Sequence, residues 1–108
     1  MSERERLPNR RAQITDSICW NGRRIHVSAG FTDDGRILEV FLRGGGKVGS
    51  ERDHTLDDIA VTLSRLLQHG DQLIAVAAGI GRLPGGEPAS VVGAVVDRLL
   101  DMEQSLPR

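Results

Sequence analysis

The pattern of apolar and polar positions changes period once, near residue 54. That change divides the chain into a strand-forming half and a helix-forming half. Over residues 24–31, Ile25, Val27, Ala29 and Phe31 fall on every second position, with His26, Ser28 and Gly30 between them. A period of two predicts a strand with one buried face. Residues 36–43 repeat the pattern. Leu38, Val40 and Leu42 form a wholly apolar set that should face the core, while Ile37, Glu39, Phe41 and Arg43 should face outward. Thr32-Asp33-Asp34-Gly35 reads as the turn between them, with Gly35 at the positive-φ position. Residues 13–20 alternate more loosely and predict a short edge strand through Ile14, Ile18 and Trp20. Asn21-Gly22 joins it to the next strand as a hairpin, because both residue types tolerate positive φ.

Beyond residue 54 the spacing lengthens to three and four. Leu56, Ile59, Ala60, Leu63, Leu66 and Leu67 predict a helix over 56–69, with Thr55 as its N-cap, Asp58 in the reciprocal box position and Gly70 as its stop. Asp71 reads as the cap of a short second helix, QLIAVAAGI, whose near-continuous apolar character argues for deep burial or an interface. Gly79, Gly81, Pro84, Gly85 and Gly86 break it into a loop. The last helix begins around Glu87-Pro88-Ala89-Ser90 and carries an apolar stripe of Val91, Val92, Val95, Val96, Leu99 and Leu100.

These elements predict an α+β fold: a two- or three-stranded antiparallel sheet packed against two or three helices. The sheet should pack on Leu56, Ile59, Leu63, Leu66 and Leu67, and Val92, Val96, Leu99 and Leu100 should close another side. The expected organisation is a flexible basic segment over 1–12, a single domain over 13–103 and a frayed end over 104–108.

Composition narrows the function classes. A chain of 108 residues suits one domain. Its 39% hydrophobic and 27% charged residues, with a net charge of −1, describe a soluble protein with no general pull toward nucleic acid or anionic membrane. The aromatic residues are Trp20, Phe31 and Phe41, so the core must be mainly aliphatic. Cys19 is the single cysteine, which rules out an internal disulfide or a paired-thiol redox site within this chain. No signal-peptide core or membrane span is visible, and the expectation is a cytoplasmic protein without membrane association.

Candidate chemistry is sparse. The loop Gly44-Gly45-Gly46-Lys47-Val48-Gly49-Ser50 superficially suggests phosphate binding, but Val48 and Gly49 separate the lysine from the serine that a phosphate loop requires next to it. It remains either a structural loop or a looser anion contact. His26, His54 and His69 have no metal-ligand spacing. Arg82, in GIGRLPGG, is either a salt-bridging loop residue or part of an anion-contacting surface. The candidate anion or partner contacts are therefore Arg10, Arg11, Lys47, Arg52 and Arg82. No catalytic residue, metal site or cofactor is expected, and a nucleotide or nucleic acid is the alternative to a protein partner.

A family resemblance emerges from residues already described. RLPNRR is followed by VSAGFTDDGRILEVFL, the KVGS turn, DDIAVTLSRLLQHG and GEPASVVGAVVDRLL. In this order the chain resembles the TSCPD-domain family, and in particular the small domain near the C-terminal end of adenosylcobalamin-dependent, class II ribonucleotide reductases. Pro8, Arg11, Gly30, Asp34, Gly35, Glu39, Val40, Phe41, Lys47, Gly49, Ser64, Leu67, Gln68 and Gly70 fit its pattern. The resemblance spans roughly residues 7–101. In that family the domain accompanies a large catalytic barrel with radical-generating and redox-active cysteines. These 108 residues hold no such barrel, no cobalamin segment and no Thr-Ser-Cys-Pro-Asp string. The resemblance therefore implies a ribonucleoside-diphosphate reductase by label, and a free-standing, non-catalytic relative by chemistry. Such a relative would act through self-association or a protein partner, a ribonucleotide reductase among the candidates, in deoxyribonucleotide metabolism.

Overall fold

The computed structural model describes residues 12–44 and 51–105. Three strands come first: β1 (Gln13–Trp20), β2 (Arg23–Phe31) and β3 (Ile37–Gly44). They form an antiparallel sheet in the order β1-β2-β3. Three helices follow: α1 (Glu51–Gln68), α2 (Leu73–Ala78) and α3 (Val91–Ser105). The architecture is α+β, with α1 packed on β3, α3 on β1 and α2 on α3.

The turns follow from local chemistry. Asn21 and Gly22 both take positive φ, 51° and 76°, and close the first hairpin. In the second, the Thr32 amide donates to the Arg36 carbonyl and the Gly35 amide to the Thr32 carbonyl. Asp34 accepts from the Thr32 hydroxyl and from Arg36 Nε, and those hydrogen bonds, that from Thr32 first, hold its carboxyl below the usual carboxylate range.

One sheet face carries the core. Ile25, Val27, Ala29 and Phe31 on β2 and Leu38, Val40 and Leu42 on β3 are buried, as the alternation predicts. Ile37 departs from it. The expected outward residue is buried, because the pairing shifts between Gly30 and Phe31: Gly30 lies opposite Glu39, but Phe31 lies opposite Ile37. The extra residue in β3 is a bulge, and a bulge breaks the strict in–out order of side chains. The Ile37 amide donates to Glu103 Oε2 on α3 at 2.9 Å.

The helices revise three expectations. α1 starts at Glu51 rather than near 56, so Thr55 lies within the helix and is not its N-cap. Acidic and basic residues extend a helix without contributing to an apolar stripe, and Asp53 suits its positive N-terminal end. Gly70 does end α1, at φ 106°, with its amide bonded to the Leu67 carbonyl and the Asp71 amide to the Leu66 carbonyl. Asp71 thus completes the end of α1. The N-cap of α2 is Gln72, with no side-chain capping bond. Nor is α2 deeply buried: Leu73 is covered, but Ile74 is 63% exposed.

The third revision concerns which face of α1 meets the sheet. Leu56, Ala60, Leu63 and Leu67 are buried, while Leu66 is 38% exposed and Ser64 and Gln68 are buried in its place. α3 places Val95, Val96, Leu99 and Met102 in the same core, with Val92 and Leu100 half-buried beside it. Ser90 stands at its N-cap, its hydroxyl accepting from the Gly93 amide and its carbonyl from the Ala94 amide. A Cβ on Gly93 would stand 2.9 Å from Pro88 Cβ, so the loop before α3 closes onto a position that leaves no room for a side chain.

Candidate functional site

β3 is an edge strand, and alternate residues of an edge strand turn their amide and carbonyl away from the neighbouring strand. α1 runs along this edge and supplies partners to three of those groups through two side chains. Ser64 Oγ accepts from the Val40 amide at 2.9 Å and donates to the Val40 carbonyl at 3.3 Å. Gln68 Nε2 donates to the Leu38 carbonyl at 2.9 Å. Four residues apart on a helix, Ser64 and Gln68 face the same way. Both belong to the resemblance pattern, and their role here is to seal the sheet edge against α1.

The other sheet face carries no strand or helix among the described residues. Its cross-strand rows are Ser17–His26–Arg43, Thr15–Ser28–Phe41 and Gln13–Gly30–Glu39. The Thr15 and Ser28 hydroxyls are hydrogen-bonded at 2.9 Å. Phe41 is 50% exposed, unlike the buried Phe31. Asp53 and Asp57 on α1 form a wall beside this face. Together these groups line an open concavity of about 970 Å³ with Thr15, His26, Ser28, Phe41 and Arg43. A shallower groove of about 350 Å³ continues from Phe41 past Val61 and Arg65. His26 and Arg43 lie directly opposite each other on adjacent strands, and neither side chain has a hydrogen-bond or ion-pair partner among the described residues.

Of the basic residues singled out in the sequence, Arg82 is the one whose side chain the structure describes. Arg10, Arg11 and Lys47 lie outside the described residues, and Arg52 occupies the first turn of α1. Arg82 is engaged elsewhere. Its guanidinium makes two 2.6 Å bonds to the Asp97 carboxylate, and Nη1 also reaches the Gly86 carbonyl. The Arg82 side chain thereby ties the loop between α2 and α3 onto α3, with the Leu83 amide on the Glu87 carbonyl and the Gly86 amide on the Leu83 carbonyl. A second pair joins Arg98 to Asp16 at 3.1 Å, and Asp16 also accepts from the Ser17 amide.

The Arg82 hydrogen bonds hold the Asp97 carboxyl below the usual carboxylate range. A carboxyl whose folded value lies below its unfolded value stabilises the fold above the unfolded value. That contribution is lost as pH falls through the folded value. Arg82→Gln should therefore lower the melting temperature by a few degrees at about pH 7, and the gap between variant and parent should close as pH falls through the lowered Asp97 value. Thermal melts across pH measure this, and an unchanged gap at acid pH would assign the effect to packing.

Among the described residues, no group of three or more His, Cys, Asp or Glu side chains is positioned to hold a metal ion. Cys19 is exposed on the open sheet face, opposite Arg24. No helix among the described residues is long and apolar enough to cross a membrane.

An antiparallel three-stranded sheet with one helical layer and one open polar face defines a small α+β module. The TSCPD domain matches residues 2–103, and the chain belongs to that family. It is 33% identical over 70 residues to a vitamin B12-dependent ribonucleotide reductase of Bradyrhizobium diazoefficiens, a match covering 65% of this chain and 6% of the relative. It is 35% identical over 68 residues to the enzyme of the same description from Agrobacterium fabrum, covering 63% of this chain and 5% of the relative. The chain thus corresponds to a small part of the curated relatives it matches. No solved structure shows a significant match to it. A reductase label for this chain would rest on family likeness alone.

Proposed function

We propose that this chain is a non-catalytic, ribonucleotide-reductase-like domain that acts by association, with a protein partner or with a second copy of itself, in deoxyribonucleotide metabolism. The observation that carries the reading is α2. Its six residues, LIAVAA, are all apolar, yet only Leu73 is buried and Ile74 is 63% exposed. An apolar helix turned to solvent marks a contact surface that another chain would cover. The correspondence to only 5–6% of the B12-dependent reductases supports a role beside other protein mass, and such a reductase is the first partner to test.

Light scattering on the purified chain, with a pull-down against the B12-dependent ribonucleotide reductase of the same cell, tests the reading. The expected result is a dimer or a stable complex that Ile74→Glu weakens at least tenfold, without loss of fold because the side chain is already exposed. A monomer that retains no reductase would overturn it.

A further inference from the structure

We propose that the open sheet face is a binding site for a small ligand that joins a flat ring to a phosphate, of which a nucleoside monophosphate is the simplest form. Three features of the concavity point to this chemistry. Phe41 presents half of its surface on the face floor, at a position where alternation would equally allow a small polar residue. An aromatic ring on an open sheet stacks a planar group regardless of its identity.

The second feature is the adjoining row. Arg43 lies two residues along β3 from Phe41, on the same face, and His26 lies directly across from Arg43. Two groups that carry or can carry positive charge seldom face each other across strands without an anion to share. Neither has a side-chain partner among the described residues. One anionic group set between them, about two residues or ~7 Å from the stacked ring, would satisfy both. That separation suits a ring and a phosphate joined by a sugar.

The third is the wall. Asp53 and Asp57 stand beside the same concavity. Carboxylates accept hydrogen bonds and repel a second phosphate. They favour a ligand with hydroxyl or amino donors and a single anionic group over a long polyanionic strand. Ser28 adds a hydroxyl on the floor, hydrogen-bonded to Thr15. The volume, about 970 Å³, lies within the range of small-molecule sites.

The site lies between the polar sheet face and the N-terminal part of α1, away from α2, and does not rest on the association reading. Either can fail alone. The test is a titration of the ¹⁵N-labelled chain with AMP, GMP, CMP and UMP, followed by amide shifts, with adenosine and ribose 5-phosphate as separated halves. At least one monophosphate should bind saturably, shift the amides of Ser28, Phe41 and Arg43, and bind roughly tenfold tighter than either half. Phe41→Ala and Arg43→Gln should each weaken it roughly tenfold. Leu83→Ala, at an exposed loop position outside the site, should leave it unchanged. Both test residues are exposed, so each variant should keep the parent amide spectrum elsewhere. The proposal is overturned by no saturable binding up to about 10 mM, by shifts that map to other residues, by ribose 5-phosphate binding as well as the nucleotide, or by binding that both substitutions leave intact.

Discussion

Replacing Ser64 and Gln68 together by alanine should destabilise the fold by about 2–6 kcal/mol, read as a lower urea midpoint with an unchanged slope. The estimate follows from what each side chain does. Ser64 is the partner of the Val40 amide and carbonyl, and Gln68 is a partner of the Leu38 carbonyl. Both side chains are at most 9% exposed. Removing either leaves a buried backbone group without its partner, at a cost of about 1–3 kcal/mol. The positions are one helical turn apart and serve one strand, so the double variant tests whether the two losses add. Ser64→Thr keeps the hydroxyl and should cost less than Ser64→Ala if the hydrogen bonds dominate. A double variant as stable as the parent would mean that water reaches this edge, and that these two residues do not serve as its seal.

Phe31→Ala should cost about 3–5 kcal/mol, whereas Phe41→Ala should change stability by about 0.5 kcal/mol or less. The two rings occupy opposite faces of the sheet, Phe31 on the central strand and Phe41 on β3. Phe31 is 1% exposed and is the largest side chain fully inside the core, against Ile37 at the bulge. Its neighbours are aliphatic and branched, held by strand geometry on two sides, and they can collapse only partly into the space a ring leaves. A domain of this length has a total stability of about 5–15 kcal/mol, so the loss is a large share of it. Phe41 is 50% exposed on the open face, and its truncation uncovers little that was dry. Urea denaturation of the two single variants measures the contrast. Comparable losses would mean that the open face is covered in solution, which would itself favour an association surface there.

The elements were legible in the sequence wherever a short-range pattern was unambiguous. Alternation located β2 and the inward set of β3. Asn21-Gly22 and Gly35 marked turns whose positive φ the structure bears out. Gly70 marked the end of α1. The errors share a cause. Thr55 looked like a cap because the apolar stripe begins after it, although a helix can begin with a turn of charged residues that has no apolar stripe. Asp71 looked like a cap by residue type, but α2 begins one residue later than that placement needs, at Leu73, so Gln72 holds the N-cap position. Leu66 looked like core by hydrophobicity, yet α1 turns Ser64 and Gln68 inward because an edge strand offers them hydrogen-bond partners.

The site was less legible than the fold. His26, Ser28, Phe41 and Arg43 could be assigned to polar strand faces from the sequence. Their pairing across strands, and the placing of Asp53 and Asp57 beside them, could not. Arg82 was visible as a loop arginine, but Asp97 lies 15 residues away, and only the return of the loop onto α3 brings them together.

By itself the sequence determined the α+β class, an antiparallel hairpin with an edge strand left as a candidate third, the main helices and the TSCPD resemblance. These rest on periodicity and turn chemistry, which act between residues close in the chain. The tertiary structure decided the bulge that buries Ile37, the edge seal by Ser64 and Gln68, the exposure of α2 and the open face around Phe41. Each depends on which backbone groups and side chains a distant element leaves unsatisfied, and local pattern carries no record of that.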